Sequence, residues 1–325
     1  MNYFLIGYYG YDNDGDELLR HIVSDMIQST DPQAQIVTLL PNKSNASSVY
    51  RWSIPQLIRA CRQSDLIVWG GGSVWQDISS SRSFYYYLGL LLLAQIYQKP
   101  VLALGQGLTA LKGKWHQHLL RYFLSRPQVK LTVRDQASAD LAKLWGITSE
   151  LAADLAFYKA QLSSPPSSPS TDLGICVRPG AQDCLDDLRT LTEYSQQYFI
   201  ADAQEDAELS HSLAKRPAIP IKSIAKHAPK LLISMRYHAC IRAALAGIPF
   251  VAIVNQDPKL RDLAKSLDQE WIDYDEANRR PLKELIDKCL DQAPKYQSKL
   301  AKITAKLCND AKINQKALES WINAA

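Results

Sequence analysis

The 325-residue sequence predicts an α/β protein of two Rossmann-like lobes with a central cleft, and three observations carry that expectation. The length suits two domains at roughly 100–200 residues each. The first half repeats a unit of short apolar run, glycine turn and helical pattern, which implies parallel strands joined by right-handed crossovers. A Ser/Pro-rich stretch, Ser163–Asp172, then interrupts the chain, and a second series of such units follows it.

Taken in order, Tyr3–Gly7 reads as the first strand, feeding a helix over Asp16–Ile27, with a short strand at Ile36–Leu40. Leu66–Trp69 is a buried strand leading to a helix after Gly72. Phe84–Tyr97 is strongly apolar, yet it is too short to span a bilayer and is bounded by Arg82 and Lys99, so it reads as a core helix. Strands at Val101–Leu104 and Leu131–Val133 and a helix over Gln136–Leu144 complete the first half. Beyond the linker come strands at Leu173–Val177, Tyr198–Ala201, Leu231–Ser234 and Phe250–Ile253, with helices over Asp183–Gln196 and Ala239–Ala246. From Pro281 to Trp321 apolar residues recur at spacings of three and four (Leu282, Leu285, Ile286, Cys289), a helical signature. The expected division is therefore 1–162 as an acceptor-side domain, 163–172 as linker, 173–280 as a second α/β domain, and 281–325 as helices packing back across the lobes.

Composition excludes several classes. With 46% hydrophobic and 22% charged residues the chain is not disordered. Its 37 basic and 33 acidic residues leave a net charge of +4, too mild for a nucleic-acid footprint. The six cysteines are scattered, with no C-x-x-C pair, which favours a reduced cytoplasmic setting over disulfides or zinc. The N-terminus lacks the basic segment of a signal peptide. Membrane contact is expected to be peripheral at most, at the inner face.

Ligands of parallel sheets bind at the carboxyl ends of strands, where three groups of polar residues fall. In Asn13-Asp14-Gly15-Asp16-Glu17 the carboxylates suit either helix capping or the orientation and deprotonation of a hydroxyl. Gly70-Gly71-Gly72-Ser73 is neither G-x-G-x-x-G nor a Walker sequence, but it lets main-chain amides approach an anion closely; Asp77 follows, and Gly105-Gln106-Gly107 forms a comparable turn. The third group is Ser234-Met235-Arg236-Tyr237-His238. A lone histidine is ordinarily structural, and a lone arginine ordinarily a surface charge. Arg134, Arg178 and Arg236, all at strand ends, with Lys259 after another strand, together suggest a small polyanionic ligand.

Six segments, Gly7–Glu17, Gly70–Asp77, Gly105–Gly107, Val133–Asp135, Ser234–Ala239 and Asp257–Lys259, run in order along the chain and resemble the polysaccharide pyruvyl transferases of the CsaB type. The resemblance implies a fold similar to the two-lobed GT-B glycosyltransferases, with phosphoenolpyruvate as donor substrate, no further cofactor and no metal. It places Asp16, Arg134, Arg236, His238 and Lys259 at positions used for donor binding or catalysis. Arg178 looks like a further family arginine, and Gln204 and Asp206 like a family Gln-x-Asp. The sequence departs from the pattern at Thr109-Ala110, at Gln256 and through 181–222, which bears on acceptor preference.

The implied mechanism uses His238 as acid or proton shuttle and Asp16 as the group that orients or deprotonates a sugar hydroxyl. Arg134, Arg236, Lys259 and Arg178, with main chain at Gly72 and Ser73, would clamp the donor, while Asn13, Asp14, Asp77 and Gln106 would face the acceptor. The expected partners are phosphoenolpyruvate and a glycan, free or lipid-linked, and no nucleic acid. Two other functions share these features: a GT-B glycosyltransferase using a nucleotide sugar, and a non-catalytic glycan-binding protein acting through its Lys-rich C-terminal helices.

Overall fold

The structure is a computed structural model that describes residues 1–42, 47–78, 80–160, 170–180, 182–255, 258–274 and 282–323. Residues 163–169 of the expected linker, Gln256, Asp257 and the expected boundary near 281 lie outside the described residues. The chain forms two compact units, one of Met1–Tyr11, Asp16–Tyr158 and Leu307–Ala325, the other of Asp12–Gly15 and Lys159–Lys306.

The first unit contains β1 (Asn2–Ile6), most of α1 (Asp14–Thr30), β2 (Gln35–Leu40), β3 (Ser48–Tyr50), α2 (Ile54–Gln63), β4 (Leu66–Gly72), α3 (Ser81–Ile96), β5 (Val101–Gln106), α4 (Lys114–Leu124), β6 (Val129–Val133), α5 (Gln136–Leu144) and β7 (Glu150–Leu151). Among the described residues these strands form one seven-stranded sheet in the order β3-β2-β1-β4-β5-β6-β7. Its pairings are parallel. The central strands are apolar on both faces, as a sheet covered by helices on each side requires: Phe4, Ile6, Ile67, Trp69, Ala103 and Val133 belong to one buried cluster with Phe84 and Leu91 of α3.

The second unit contains β8 (Leu173–Cys176), α6 (Gln182–Thr190), β9 (Gln196–Ile200), α7 (Ala207–Leu213), β10 (Ile219–Pro220), α8 (Ile224–His227), β11 (Leu231–Ser234), α9 (Tyr237–Leu245), β12 (Phe250–Val254), α10 (Pro258–Ser266), β13 (Glu270–Asp273), α11 (Leu282–Asp291) and most of α12 (Ala293–Asp310). Its sheet has the order β10-β9-β8-β11-β12-β13 among the described residues. A separate cluster built on Leu173, Ile175, Leu231, Ile233, Val251 and Ile253 forms its core, with Leu282, Ile286 and Cys289 of α11 packed in.

The final helix, α13 (Lys312–Ile322), belongs to the first unit. Asn314 anchors it there. The side chain is fully buried, accepts a hydrogen bond from Thr132 Oγ1 and donates to the carbonyl of Ala153 at 3.1 Å. Thr132 Oγ1 in turn accepts from the Gly105 amide at 2.7 Å, so one asparagine ties α13 to β5 and β6.

Two expectations need correction. No helix follows Gly72 directly: Gly70–Gly72 continue strand β4, and α3 begins only at Ser81, where the Ser80 hydroxyl accepts the Ser83 amide as its cap. The helix expected over Asp183–Gln196 stops at Thr190, because the following residues turn into β9 and Tyr194 is drawn to Asp287 of α11. The Phe84–Tyr97 segment is a core helix over most of its length, with Tyr85, Leu92 and Ile96 exposed. Among the described residues no helix is long and apolar enough to cross a membrane. The cysteines are unpaired thiols, all buried except the half-buried Cys308.

Candidate active site

Each sheet has a point where its strand order reverses, between β1 and β4 in the first unit and between β8 and β11 in the second. Crevices at such points are where open α/β sheets hold ligands, at the carboxyl ends of the strands. The expected functional residues collect at these ends in both units.

In the first unit, Asp16 lies in the opening turn of α1, its carboxylate near Gly72: a Cβ placed on Gly72 would come 3.9 Å from Asp16 Oδ1. Gly71 and Gly72 have φ of +79° and +81°, which glycine alone adopts without strain. Gly70 is required by packing instead, since the Tyr9 hydroxyl donates to its carbonyl at 2.8 Å and a Cβ would meet that hydroxyl. Burial drives the Tyr9 phenol well above its ordinary pKa, with the nearby Asp16 charge adding to the effect, so it stays protonated and holds the glycine strand.

Ser73, Gly107 and Arg134 pack closely. A Cβ on Gly107 would lie 2.3 Å from Ser73 Oγ and 2.8 Å from the Arg134 guanidinium. Ser73 Oγ is buried with no hydrogen-bond partner among the described residues. The Arg134 side chain is 3% exposed and bonds Asp135 at 3.2 Å and Asp154 at 3.4 Å. Its charge is therefore offset within the unit by two carboxylates, each of which also caps a helical turn.

Asp77 and Gln106 do not fit the acceptor-facing role expected of them. Asp77 is 1% exposed, and its carboxylate accepts the Lys112 amide and meets His116 Nδ1 at 2.6 Å, with Tyr85 on the opposite ring nitrogen of that histidine. Burial alone would raise its pKa, but His116 and the Lys112 amide outweigh it and hold the carboxyl below the usual range. Gln106 is fully buried, and its amide donates to the carbonyls of Leu104 and Trp69.

Asn13 and Asp14, also expected on the acceptor side, fold with the second unit. The Asp14 amide bonds the Ala201 carbonyl at 2.8 Å, and Asn13 Nδ2 bonds Asp202 at 3.1 Å, so this segment pairs with the end of β9. The Asp14 carboxylate is gripped by both Nε and Nη2 of Arg242 on α9. Arg242 is absent from the sequence-based set; its signal was its place one helical turn beyond His238 on the same face.

Next to this pair, the imidazole of His238 rests directly on Gly15, where a Cβ would fall 2.0 Å from Nδ1 and 2.4 Å from Cγ. His238 sits in the first turn of α9, two residues after the capping residue Arg236. The Arg236 guanidinium bonds Asp206 through Nε at 3.1 and 3.0 Å and Glu205 through Nη2 at 2.7 Å. Asp206 is fully buried, and burial pushes its carboxyl up while Arg236 pulls against it. Burial disfavours the Arg236 charge, but Asp206 and Glu205 more than restore it. Nη1 of Arg236 has no acceptor among the described residues, which leaves it available to an anion. Arg178 projects beyond the end of β8 as an exposed cation with no partner among the described residues, and Lys259 is half-buried in the first turn of α10 after β12. Neighbouring strands β8, β11 and β12 thus deliver Arg178, Arg236 with His238, and Lys259 to one sheet edge. Gln204 is exposed, with its amide on Asp202.

A model of the polysaccharide pyruvyl transferase family matches residues 13–258, spanning the elements that carry both groups of residues. No curated protein gives a significant sequence match. Among solved structures the chain is similar to Anabaena Alr3699/HepE in complex with UDP-glucose, with a TM-score of 0.62 and 14% identity over 99% of each chain. It is also similar to sucrose-phosphate synthase from Thermosynechococcus elongatus (TM-score 0.60, 10% identity, 99% of this chain and 98% of that one). A third likeness is to UDP-GlcNAc 2-epimerase from Neisseria meningitidis (TM-score 0.59, 10% identity, 98% and 99%). At these identities the likeness establishes the fold alone, two parallel-sheet α/β lobes of the GT-B kind.

Proposed function

The chain belongs to the polysaccharide pyruvyl transferase family, and we propose that it moves the pyruvyl group of phosphoenolpyruvate onto two hydroxyls of a glycan sugar, closing a cyclic ketal and releasing phosphate. The observation that carries this reading is the convergence of Arg178, Arg236 and Lys259 on one sheet edge around His238. A donor bearing a phosphate and a carboxylate needs several fixed cations, and guanidinium groups can engage either anion bidentately. Arg134, already offset by Asp135 and Asp154, would have to exchange one of those carboxylates for the donor.

Ketal formation starts with a proton added to the methylene carbon of the enol. A sugar hydroxyl then attacks the cation-like carbon, and a second hydroxyl displaces phosphate. Imidazole, whose unperturbed pKa is near 6.5, can give and regain a proton at neutral pH, which suits His238 to the first step. The packing of its ring on Gly15 fixes its position. Asp16 takes the role of orienting and deprotonating the attacking hydroxyl. No step calls on a cofactor beyond the donor itself, and a cytoplasmic location, where phosphoenolpyruvate is present, is part of the same proposal.

The test is phosphate release from phosphoenolpyruvate with a panel of saccharide acceptors, with the ketal product identified by mass spectrometry. His238→Ala should abolish release while the variant remains stabilised by phosphoenolpyruvate. Near-normal turnover in that variant would refute the assignment of His238.

A further inference from the structure

The first unit carries a pocket of about 290 Å³ that none of the candidate site residues lines, enclosed by Tyr8, Tyr11, Arg51, Trp52, Ser80, Arg82, Ser83, Tyr86 and Tyr87. It lies at the carboxyl ends of β1 and β3, at the opposite half of the sheet from Arg134 after β6. Its size is near the lower end of small-molecule sites, roughly 300 Å³. Its walls are aromatic rings from two directions. Tyr8 and Tyr11, in the loop after β1, stack with centroids 4.4 Å apart; Trp52, just after β3, leans on Tyr86 of α3 at 5.1 Å. Trp52 is 56% exposed and Tyr8 44%, so two exposed aromatic side chains open onto the same cavity. Exposed aromatics gathered at one concave site mark a binding surface more than a folding requirement.

Arg51 holds this wall in place. It is 3% exposed, has no carboxylate partner among the described residues, and its guanidinium lies 5.1 to 6.0 Å from the ring centroids of Tyr8, Tyr11, Tyr86 and Tyr87. Nη1 donates to the Tyr11 hydroxyl at 2.6 Å and Nη2 to that of Tyr87 at 3.1 Å, while the Arg51 carbonyl accepts from Tyr86 at 2.8 Å. A buried cation balanced by ring faces and phenols fixes three tyrosines at once, which is pre-organisation before any ligand arrives. The rim is polar, with the Ser83 hydroxyl and the Arg82 guanidinium among its lining groups.

We infer that this pocket is a hexopyranose subsite, in which the apolar C–H face of a sugar ring stacks on Trp52 and Tyr8 while Ser83 and Arg82 take its hydroxyls. The stacking rests on the pocket alone; its use for a sugar of the acceptor glycan rests on the proposed function. Flat ring faces with a hydroxyl and guanidinium rim match a ring that is apolar on its faces and polar around its edge. Arg51 is then a positioning residue, acting through the tyrosines it binds.

Saturation-transfer NMR on the full chain, with the methyl glycosides of glucose, galactose, mannose and N-acetylglucosamine and with uridine as probes, tests the inference. At least one methyl glycoside should show saturable transfer to its ring C–H protons, with Kd raised about tenfold by Trp52→Ala and largely preserved by Trp52→Phe, the size expected for one aromatic contact. Arg51→Lys should weaken the same glycoside by loosening the tyrosines that the guanidinium binds. Absence of transfer to every glycoside, Trp52→Ala binding equal to wild type, or uridine displacing the glycoside would each overturn it. Thermal unfolding with phosphoenolpyruvate on the same samples separates this inference from the donor reading. A phosphoenolpyruvate response retained in Trp52→Ala supports two separate sites, whereas sugar binding without any such response strikes the donor reading alone.

Discussion

Replacing Gly15 by alanine is the smallest change that reaches His238. The added methyl would sit 2.0 Å from Nδ1, 2.4 Å from Cγ and 2.8 Å from Cβ of the imidazole, so the whole side chain has to leave its position and not merely its tip. Overpacking of this kind costs roughly 1–3 kcal/mol. Against it, Gly15 has no positive φ, and alanine improves on glycine within a helix by about 0.8–1 kcal/mol. The two effects leave a net loss between nothing and about 2 kcal/mol. Stability will therefore fall by at most about 2 kcal/mol, while the imidazole moves by about an ångström or more, a displacement that can lower turnover by about a hundredfold. Phosphate release from phosphoenolpyruvate, measured beside thermal unfolding, separates the two effects. Wild-type turnover in Gly15→Ala would refute the claim that this contact positions a catalytic His238.

Four further substitutions probe other links. Asp14→Ala and Arg242→Ala should each cost about 2–3 kcal/mol by leaving a half-buried charge without its partner, and the double variant should cost less than their sum, as read by denaturant unfolding. The depressed pKa of Asp77 means the native state favours its ionised form. That contribution is present above the unfolded value of 3.8 and is lost as pH falls through the lower native value, so Asp77→Asn should flatten the acid side of a Tm–pH profile. Asn314→Ala would leave the Thr132 hydroxyl proton and the Ala153 carbonyl without a partner in the core, although Thr132 Oγ1 keeps the Gly105 amide, and should lower stability by about 2–4 kcal/mol, releasing α13 to proteolysis before the rest of the first unit.

What the sequence made legible is the part that depends on local pattern. The runs at Leu66–Trp69, Val101–Leu104, Leu231–Ser234 and Phe250–Ile253 are apolar on both faces, and only a covered parallel sheet accommodates that, so the strands fall where the pattern puts them. Gln136–Leu144 coincides with α5 because Asp135 supplies a cap and the periodicity is clean. Gly70–Gly72 misled, since three glycines read as a turn, whereas their missing Cβ atoms serve to admit Tyr9 and Leu155. The partners of the charged residues were beyond reach for a different reason. Asp14 meets Arg242, Arg236 meets Asp206 and Asn314 meets Thr132 across separations that no window along the chain covers. A residue's type announces that a charge will be needed; only the fold decides which opposite charge answers it. The helices after Pro281 were expected to pack back across the lobes, but the periodicity did not show that the chain would pass from the second unit to the first at Leu307.

The most direct test of the central claim is thermal unfolding of the purified chain across a phosphoenolpyruvate titration, with inorganic phosphate and a panel of UDP-sugars as controls. A donor that binds only the native state adds about 2.7 kcal/mol at a hundred times its Kd, so the account predicts a saturable rise in Tm with phosphoenolpyruvate that neither phosphate nor the UDP-sugars reproduce. No rise with phosphoenolpyruvate, or a rise with UDP-sugars in its place, would contradict it.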